Sequence, residues 1–595
     1  MNKYKVTQSS VSQLMAAVQS EQIAIPELQR PFVWDSVKVR DLIDSLYNGY
    51  PVGYLITWHS VGAALKGGQV AAHQQILIDG QQRVTALRAA IAGLPVINKR
   101  YKPVRIAISF NPVTETFETS NPALRKNTEW IDDISEYFNS SPLTFARNYL
   151  ERNPHLAPGA VEDTLARLDG LKNAQVGVIE LESELDVETV SEIFIRINSK
   201  GVPLSSADFA MSKIATYGDR GRNIRKLIDY FCHLAVAPHA FDDIKEHDTD
   251  FAASPYLAAI SWLKNDGDDL YDPEYGDLIR VAGLVGFSRG KAASIVSELS
   301  GRDPETRKVD QDRIPVAYDK LEAALLQIVK KYHFENFLMI VKSAGFITSG
   351  MIGSTNVLNF AYSLYLRLRE DSSMPEGERK RIVRRWFVMS LLTGRHSGSF
   401  ESTWEQDIRR IDSLGASAYL KQIEESDLSD AFWSVTLPNN LETTSTISPS
   451  FQVFLASQIA KNARGFLSKS ITVAAMHQQS GDIHHIVPKA YLRKNGFPDR
   501  GDYNQVANYV LTETAINISI GARAPMEYMG LVQSQIETGK LALGEITDSA
   551  DLEKNLVENA IPPSIFSITA GSYPEFLQQR RKLMASAIRS YYEAL

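Results

Sequence analysis

The spacing of hydrophobic positions changes character along the chain. Over residues 1 to about 215, short apolar runs alternate with runs spaced for helices. "QILIDG" (75–80) is a continuous apolar run stopped at Asp79-Gly80, which predicts a buried strand, and "QQRVTALRAAIAG" follows directly as a helix. "VRIAISF" and "VGVIEL" predict further strands. "QIAIPELQRPFVWD" reads as extended, with Asp35 capping a helix that puts Val39, Leu42, Ile43, Leu46 and Tyr47 on one face and ends at Gly49 and Pro51. "VETVSEIFIRIN" predicts a helix closed by the turn "SKG", and Ser205 with Asp208 can form a capping box for the next one.

From 216 to 437 the period is helical almost throughout, as in "YDKLEAALLQIVKKYHFENFLMIVKSAG" and "NVLNFAYSLYLRLRE". The polar run "LPNNLETTSTISPS" (437–450) has the composition of a linker or an exposed loop. Beyond it, 451–595 carries a short strand pattern among helices and closes with the helix "YPEFLQQRRKLMASAIRSYYEAL". The expected class is therefore an α+β multidomain protein: an N-terminal α/β domain (1–215), an all-helical middle region (216–437) and a third domain (451–595). The 595 residues fit a prior of roughly three to five domains.

Composition narrows the function. The chain has 44% hydrophobic and 22% charged residues and no apolar stretch long enough to suggest a membrane span. Its start, "MNKYKVTQSSVSQLM", lacks the apolar run of a signal peptide, so a cytoplasmic location and no membrane partner are expected. The lone cysteine, Cys232, excludes an internal disulfide framework and any multi-cysteine zinc site, which leaves His, Asn, Asp or Glu as metal donors. A net charge of −7 argues against coating nucleic acid by bulk electrostatics but leaves room for a local basic groove. "GERKRIVRRW" and "KAYLRK" are candidates for one, and a solvated helix face accounts for either equally.

Chemistry concentrates at two places. In "GDIHHIVPKAYLRKNGFP" two adjacent histidines, His484 and His485, occupy a strand pattern whose neighbours face opposite ways. One reading is a buried, hydrogen-bonded histidine beside an exposed one; the other is a pair of functional imidazoles. Downstream, "DYNQVANYVLTETAINISIGARAP" predicts a second strand and a short helix, with Asn508 and Asn517 nine residues apart. A hairpin with that helix laid across it brings His484, His485, Asn508 and Asn517 to one locus.

This order and spacing resembles the HNH, or ββα-metal, nuclease family. The resemblance implies that His485 is the general base, that His484 and Asn517 ligate a divalent cation, and that Asn508 braces the hairpin and orients the base. One imidazole and one amide oxygen suit Mg²⁺ or Mn²⁺ better than zinc. The longer form of the motif has a third histidine where Gly521 stands here, which implies a metal site open on one side. Lys489 and Arg523 are candidates for gripping the phosphate, and Asp482 is either a partner of one imidazole or a solvated strand-end carboxylate.

At the other end, "ILIDGQQRVTALRAA" places Gln81, Gln82 and Arg83 in the first turn of a helix whose free N–H groups form an anion site. Arg83 is either a phosphate clamp or a solvated cation. "IPELQRPFVWD", "IDGQQRVTAL" and "FIRINSKGVPLSSADFAMSKI", in that order, are similar to the ParB/sulfiredoxin-like DGQQR domain. That resemblance implies binding and hydrolysis of a nucleoside triphosphate, with Asp79, Gly80, Gln81, Gln82 and Arg83 at the phosphates and metal and Gln29 and Arg30 converging on the pocket. Asn198, Lys200 and Asp208 would line its far side, although helix termination and capping explain them equally. Asp79 and Arg83 would then be catalytic for the nucleotide.

A DGQQR domain, a helical middle and a C-terminal HNH domain in one chain resembles the GmrSD and BrxU-type modification-dependent (type IV) restriction enzymes. The expectation is a nucleotide- and metal-dependent endonuclease that cleaves double-stranded phage DNA bearing modified cytosines, working as a homodimer or by sequential nicking. Two other expectations stand beside it: a nucleotide-gated DNA clamp with a vestigial nuclease, and a constitutive toxin-like nuclease.

Overall fold

The computed structural model describes residues 3–20, 22–24, 34–60, 74–97, 103–185, 189–190, 206–215, 217–303, 306, 308–479 and 483–595. The chain is an α+β protein, with its larger, mixed sheet near the N-terminus and helices dominating the remainder. It divides into two compact units, residues 1–266 with 292–322, and residues 267–291 with 323–595. The helical stretch 216–437 thus contributes to both.

The first unit is built on a five-stranded sheet. Its strands are β1 (Tyr4–Ser10), β2 (Ile23–Ala24), β3 (Tyr54–Ser60), β4 (Gln74–Asp79) and, after a separate hairpin of β5 (Ile108–Asn111) and β6 (Thr116–Thr119), β7 (Gln175–Leu181). The spatial order is β1-β7-β3-β4-β2. β1 runs antiparallel to β7 (Val6 opposite Ile179), β7 and β3 are parallel, β3 and β4 antiparallel, and β4 and β2 parallel. Helix α1 (Val11–Gln19) starts with a reciprocal Ser10–Gln13 capping box. Helix α2 (Ser36–Tyr47) starts with Asp35 accepting from the Lys38 N–H at 2.8 Å, and buries Val39, Leu42, Ile43 and Leu46 as its periodicity requires. Helix α3 (Gln81–Ile91) is buried at Val84, Thr85, Ala86, Leu87, Ala89, Ala90 and Ile91, and its small residues let the core close around it. Helix α4 (Ser206–Ala215) is pinned by Tyr318, whose hydroxyl donates to the Lys213 carbonyl at 2.7 Å.

Among the described residues the second unit is helical except for one strand pair. Among its helices are α5 (Tyr275–Phe287), α6 (Thr355–Glu370), α7 (Glu376–Thr393), α8 (Phe400–Leu414), α9 (Ala416–Asp427) and α10 (Pro449–Ala460). The run "GERKRIVRRW" lies on α7, and three of its arginines are committed within the protein. Arg379 donates to the Leu368 and Met374 carbonyls, Arg384 to the Leu595 carbonyl, and Arg385 to Glu424 and the Tyr592 carbonyl. They fasten helix C-termini, where orphan carbonyls and the dipole both favour a cation. Arg395 forks onto the buried Asp407 (3.0 and 2.6 Å), and His396 lies against the same carboxylate, so both residues belong to the packing of α7 on α8. The polar run 437–450 is tied to this unit: Leu437 and Leu441 are fully buried, and Val506 donates its N–H to the Thr443 carbonyl.

Candidate active site

Strand β8 (Ile483–His485) pairs antiparallel with β9 (Tyr509–Leu511), His484 opposite Val510 and His485 opposite Tyr509. Two short helices, α11 (Lys489–Lys494) and α12 (Arg500–Tyr503), occupy the connection, and α13 (Thr514–Ile520) follows β9. The result is a strand-strand-helix unit, packed under the long terminal helix α14 (Tyr573–Ala594).

A pocket of about 300 Å³ opens on this unit, lined by His484, His485, Pro488, Lys489, Ala490, Arg493, Asn517, Ile520 and Gly521. Three of the four residues singled out from the sequence therefore share one cavity. Lys489 and Arg493 stand one turn apart on α11, both exposed, and no carboxylate is among the described residues lining the pocket. Two cations, two imidazoles and an amide without a carboxylate suit an anionic ligand.

The fourth residue, Asn508, is fully buried beneath the pocket. Its side chain accepts from the Val487 N–H (2.9 Å) and donates to the carbonyls of Val487 and Tyr503 (both 3.1 Å). It clips the end of the first strand to the segment before the second. Tyr528 adds a bond from its hydroxyl to the Ile486 carbonyl at 2.9 Å. Arg580 on α14 has no exposed surface and donates to the carbonyls of Ala507 and Asn559. The backbone just after His485 is thus held by Asn508 and Tyr528, and the approach to the partner strand by Arg580.

His484 is buried and His485 half-buried. The His485 imidazole stands edge-on between the Tyr503 and Tyr509 rings, with centroids 6.1 and 5.2 Å away. Its Nε2 meets the Asn504 Oδ1 at 2.9 Å. Asn508, expected to orient this imidazole, instead spends its side chain on the backbone. Burial pushes the His485 pKa below its ordinary value, and the Lys489 ammonium pushes the same way against the opposing Asn504 bond.

His484 and Asn517, the pair that the sequence resemblance assigns to a cation, both line this pocket. Among the described residues no group of three or more His, Cys, Asp or Glu side chains is placed to hold one. The donor set fits a cation that fills most of its shell with water or phosphate oxygen, as Mg²⁺ and Mn²⁺ do, and does not fit a closed zinc site. Arg523 does not line the pocket; its guanidinium donates to the Ser519 and Ile520 carbonyls and closes the end of α13. Arg493, not singled out from the sequence as a site residue, lines the pocket in company with Lys489. Four-residue spacing on a short helix after the first strand is the signal that could have found it. Asp482 lies outside the described residues.

In the first unit, Gly80 sits between β4 and α3 at φ +95°, where a Cβ would strike Leu55. Arg83 donates to Asp79 (2.9 Å) and to the carbonyls of Tyr54 (2.8 Å) and Val52 (3.2 Å). It therefore ties the start of α3 to β3 and to the end of β4. Gln81 reaches the Leu77 carbonyl at 3.3 Å. Gln82 belongs to the same first turn, and Asp208 is buried in the first turn of α4. Gln29, Arg30, Asn198, Lys200 and Ser205 lie outside the described residues.

The molecule thus pairs an α/β unit built around a DGQQR turn with a helical unit that carries a basic, histidine-lined pocket. Residues 11–215, roughly a third of the chain, match the family model described as the GmrSD restriction endonuclease, N-terminal domain. That match supports a restriction endonuclease of the GmrSD type, a nuclease with DNA as its substrate. No curated protein matches the chain significantly. Among the described residues no helix is long and apolar enough to cross a membrane.

Proposed function

We propose that the pocket on the strand-strand-helix unit is the phosphodiester-hydrolysing centre of an HNH-type endonuclease that acts on double-stranded DNA bearing modified cytosines. The observation that carries this reading is the convergence of His484, His485, Asn517, Lys489 and Arg493 on one pocket with no carboxylate among the described residues lining it. Lys489 and Arg493 bind the phosphate and align the backbone. His485, kept neutral by burial, takes a proton from the attacking water. His484 and Asn517 would hold Mg²⁺ or Mn²⁺, which when bound supplies positive charge beside the phosphorus and the leaving oxygen. Asn508 maintains the backbone on which both histidines stand.

The same reading gives the N-terminal unit a nucleoside triphosphate, bound at the start of α3 by the turn Asp79, Gly80, Gln81, Gln82 and Arg83, with Gln29, Arg30, Asn198, Lys200 and Asp208 as further contacts. Its support is the helix N-terminus at the start of α3, set behind a left-handed glycine. With one nuclease pocket per chain, cutting both strands takes a homodimer or two successive nicks.

The test is cleavage of modified and unmodified DNA, with and without nucleotide and Mg²⁺, by wild type, His485→Ala and Arg83→Ala. The reading expects cutting of modified DNA that needs both cofactors, is abolished in His485→Ala and loses its nucleotide dependence or activity in Arg83→Ala. Undiminished cutting by His485→Ala would overturn the nuclease assignment. Cutting that ignored nucleotide and DNA modification would leave a constitutive nuclease instead.

A further inference from the structure

The base that this reading assigns to His485 needs one particular ring nitrogen presented to the pocket, and the residue that decides which is not one of the motif residues. We infer that Asn504 is the positioning residue for His485, fixing the ring's rotation and its Nε2–H tautomer so that Nδ1 is the nitrogen left to accept a proton. This rests on the nuclease reading above and deepens it.

The geometry begins with the connection between β8 and β9. Asn504 terminates α12, its N–H donating to the Arg500 carbonyl at 3.1 Å, and is itself half-buried. Its Oδ1 lies 2.9 Å from His485 Nε2. A carbonyl oxygen can only accept, so the imidazole nitrogen it meets must carry hydrogen; a neutral imidazole then has its lone pair on Nδ1. Edge contacts with Tyr503 and Tyr509 restrict the ring to a slot but leave it free to flip, because neither ring distinguishes the two nitrogens. The Asn504 amide is the polar group that makes the distinction.

Asn508 explains why Asn504 stays in reach. Through the carbonyl of Tyr503, the residue before Asn504, and both backbone groups of Val487, two residues after His485, it sets the separation between the two segments. Orientation of the base is thus divided between two asparagines: Asn508 places the backbones, and Asn504 selects the nitrogen. Asn504 sits four positions before Asn508 in a turn with no strand or helix period, so spacing alone gave no signal for it.

The test combines activity with a measurement that does not depend on it. Asn504→Asp retains an oxygen acceptor, whereas Asn504→Leu keeps the volume and removes it. Histidine-selective ¹⁵N spectra of the full chain, recorded without added metal and assigned with His485→Gln, report the tautomer directly. The expected result is a predominant Nε2–H form in wild type and Asn504→Asp, and a mixture in Asn504→Leu. With Mg²⁺ and modified DNA, kcat of Asn504→Leu should fall by roughly 10- to 100-fold with KM little changed, and Asn504→Asp should recover most of it. A predominant Nδ1–H form in wild type, or wild-type kcat in a folded Asn504→Leu, would overturn the inference. If His485→Ala still cut DNA, the nuclease reading itself would fall, while the tautomer spectra would continue to decide whether Asn504 governs the ring.

Discussion

Arg493 and Arg523 carry the same side chain on one strand-strand-helix unit, yet of the two only Arg493 lines its pocket. Arg493 lines the cavity from α11, whereas Arg523 has turned back onto the carbonyls that end α13. Arg493→Ala should lower kcat/KM by roughly 10- to 100-fold, mainly through KM, the loss of one charge-assisted bond to phosphate. Arg523→Ala should stay within about two-fold, because an exposed cap contributes little. Steady-state kinetics on both variants checks this, and equal effects would show that the pocket wall does not discriminate between them. A second residue-scale prediction concerns His396, which burial holds below its ordinary pKa of 6.5 in spite of the neighbouring Asp407. As pH falls below 6.5 the unfolded chain takes up a proton there that the folded chain refuses, so stability falls with falling pH from that point down to the folded pKa. Asp407 has its pKa lowered as well, so its contribution is lost only at lower pH, as carboxylates ordinarily titrating near 3.8 protonate. Denaturant midpoints of wild type and His396→Gln at pH 7.5 and 5.5 should therefore show the steeper loss in wild type, by up to about 1.4 kcal/mol per pH unit.

At the scale of the element, the strand-strand-helix unit is short. Three-residue strands and a seven-residue helix cannot be stable alone, so their geometry is supplied by side chains that bond to their backbone. Asn508 carries most of this. Asn508→Ala leaves the Val487 N–H and the Val487 and Tyr503 carbonyls without their partner in a buried site, which should cost roughly 2–5 kcal/mol. Chemical denaturation measures that directly, and a loss under about 1 kcal/mol would mean that the surrounding bonds of Tyr528 and Arg580 suffice on their own. The elements themselves were legible where periodicity is strong. Asp35 capping α2, the stop of β4 at Asp79-Gly80 and the closing helix α14 all follow from local rules. The long run 318–345 was not legible in detail: it breaks between Ile328 and Lys331, although no proline or glycine marks the break. The partners of Arg83, Arg384, Arg385 and Arg580 were equally hidden, since each bonds a carbonyl brought near by tertiary packing. A basic run in sequence states charge but not whether a carbonyl has already claimed it.

For the whole molecule, the question is whether the cation proposed at His484 and Asn517 builds the site or only completes it. The backbone beneath it is fixed by protein bonds throughout: the β8–β9 ladder, Asn508, the Tyr528 hydroxyl and the Arg580 guanidinium. None of these requires a charge in the pocket. The proposed function gives it two protein donors, so binding at millimolar Mg²⁺ adds little to folding, on the order of 1 kcal/mol or less. Chelation should therefore abolish cleavage of DNA while lowering the Tm of the transition assigned to the second unit by no more than about 2–4 °C. Calorimetry with and without EDTA, paired with the cleavage assay on the same samples, makes the comparison. A drop of about 10 °C or more would place the metal among the supports of the fold, as in zinc-stabilised domains, and would require protein ligands beyond His484 and Asn517. Unchanged cleavage after exhaustive chelation would instead leave Lys489 and Arg493 as the charge facing the phosphate and remove the cation from the mechanism.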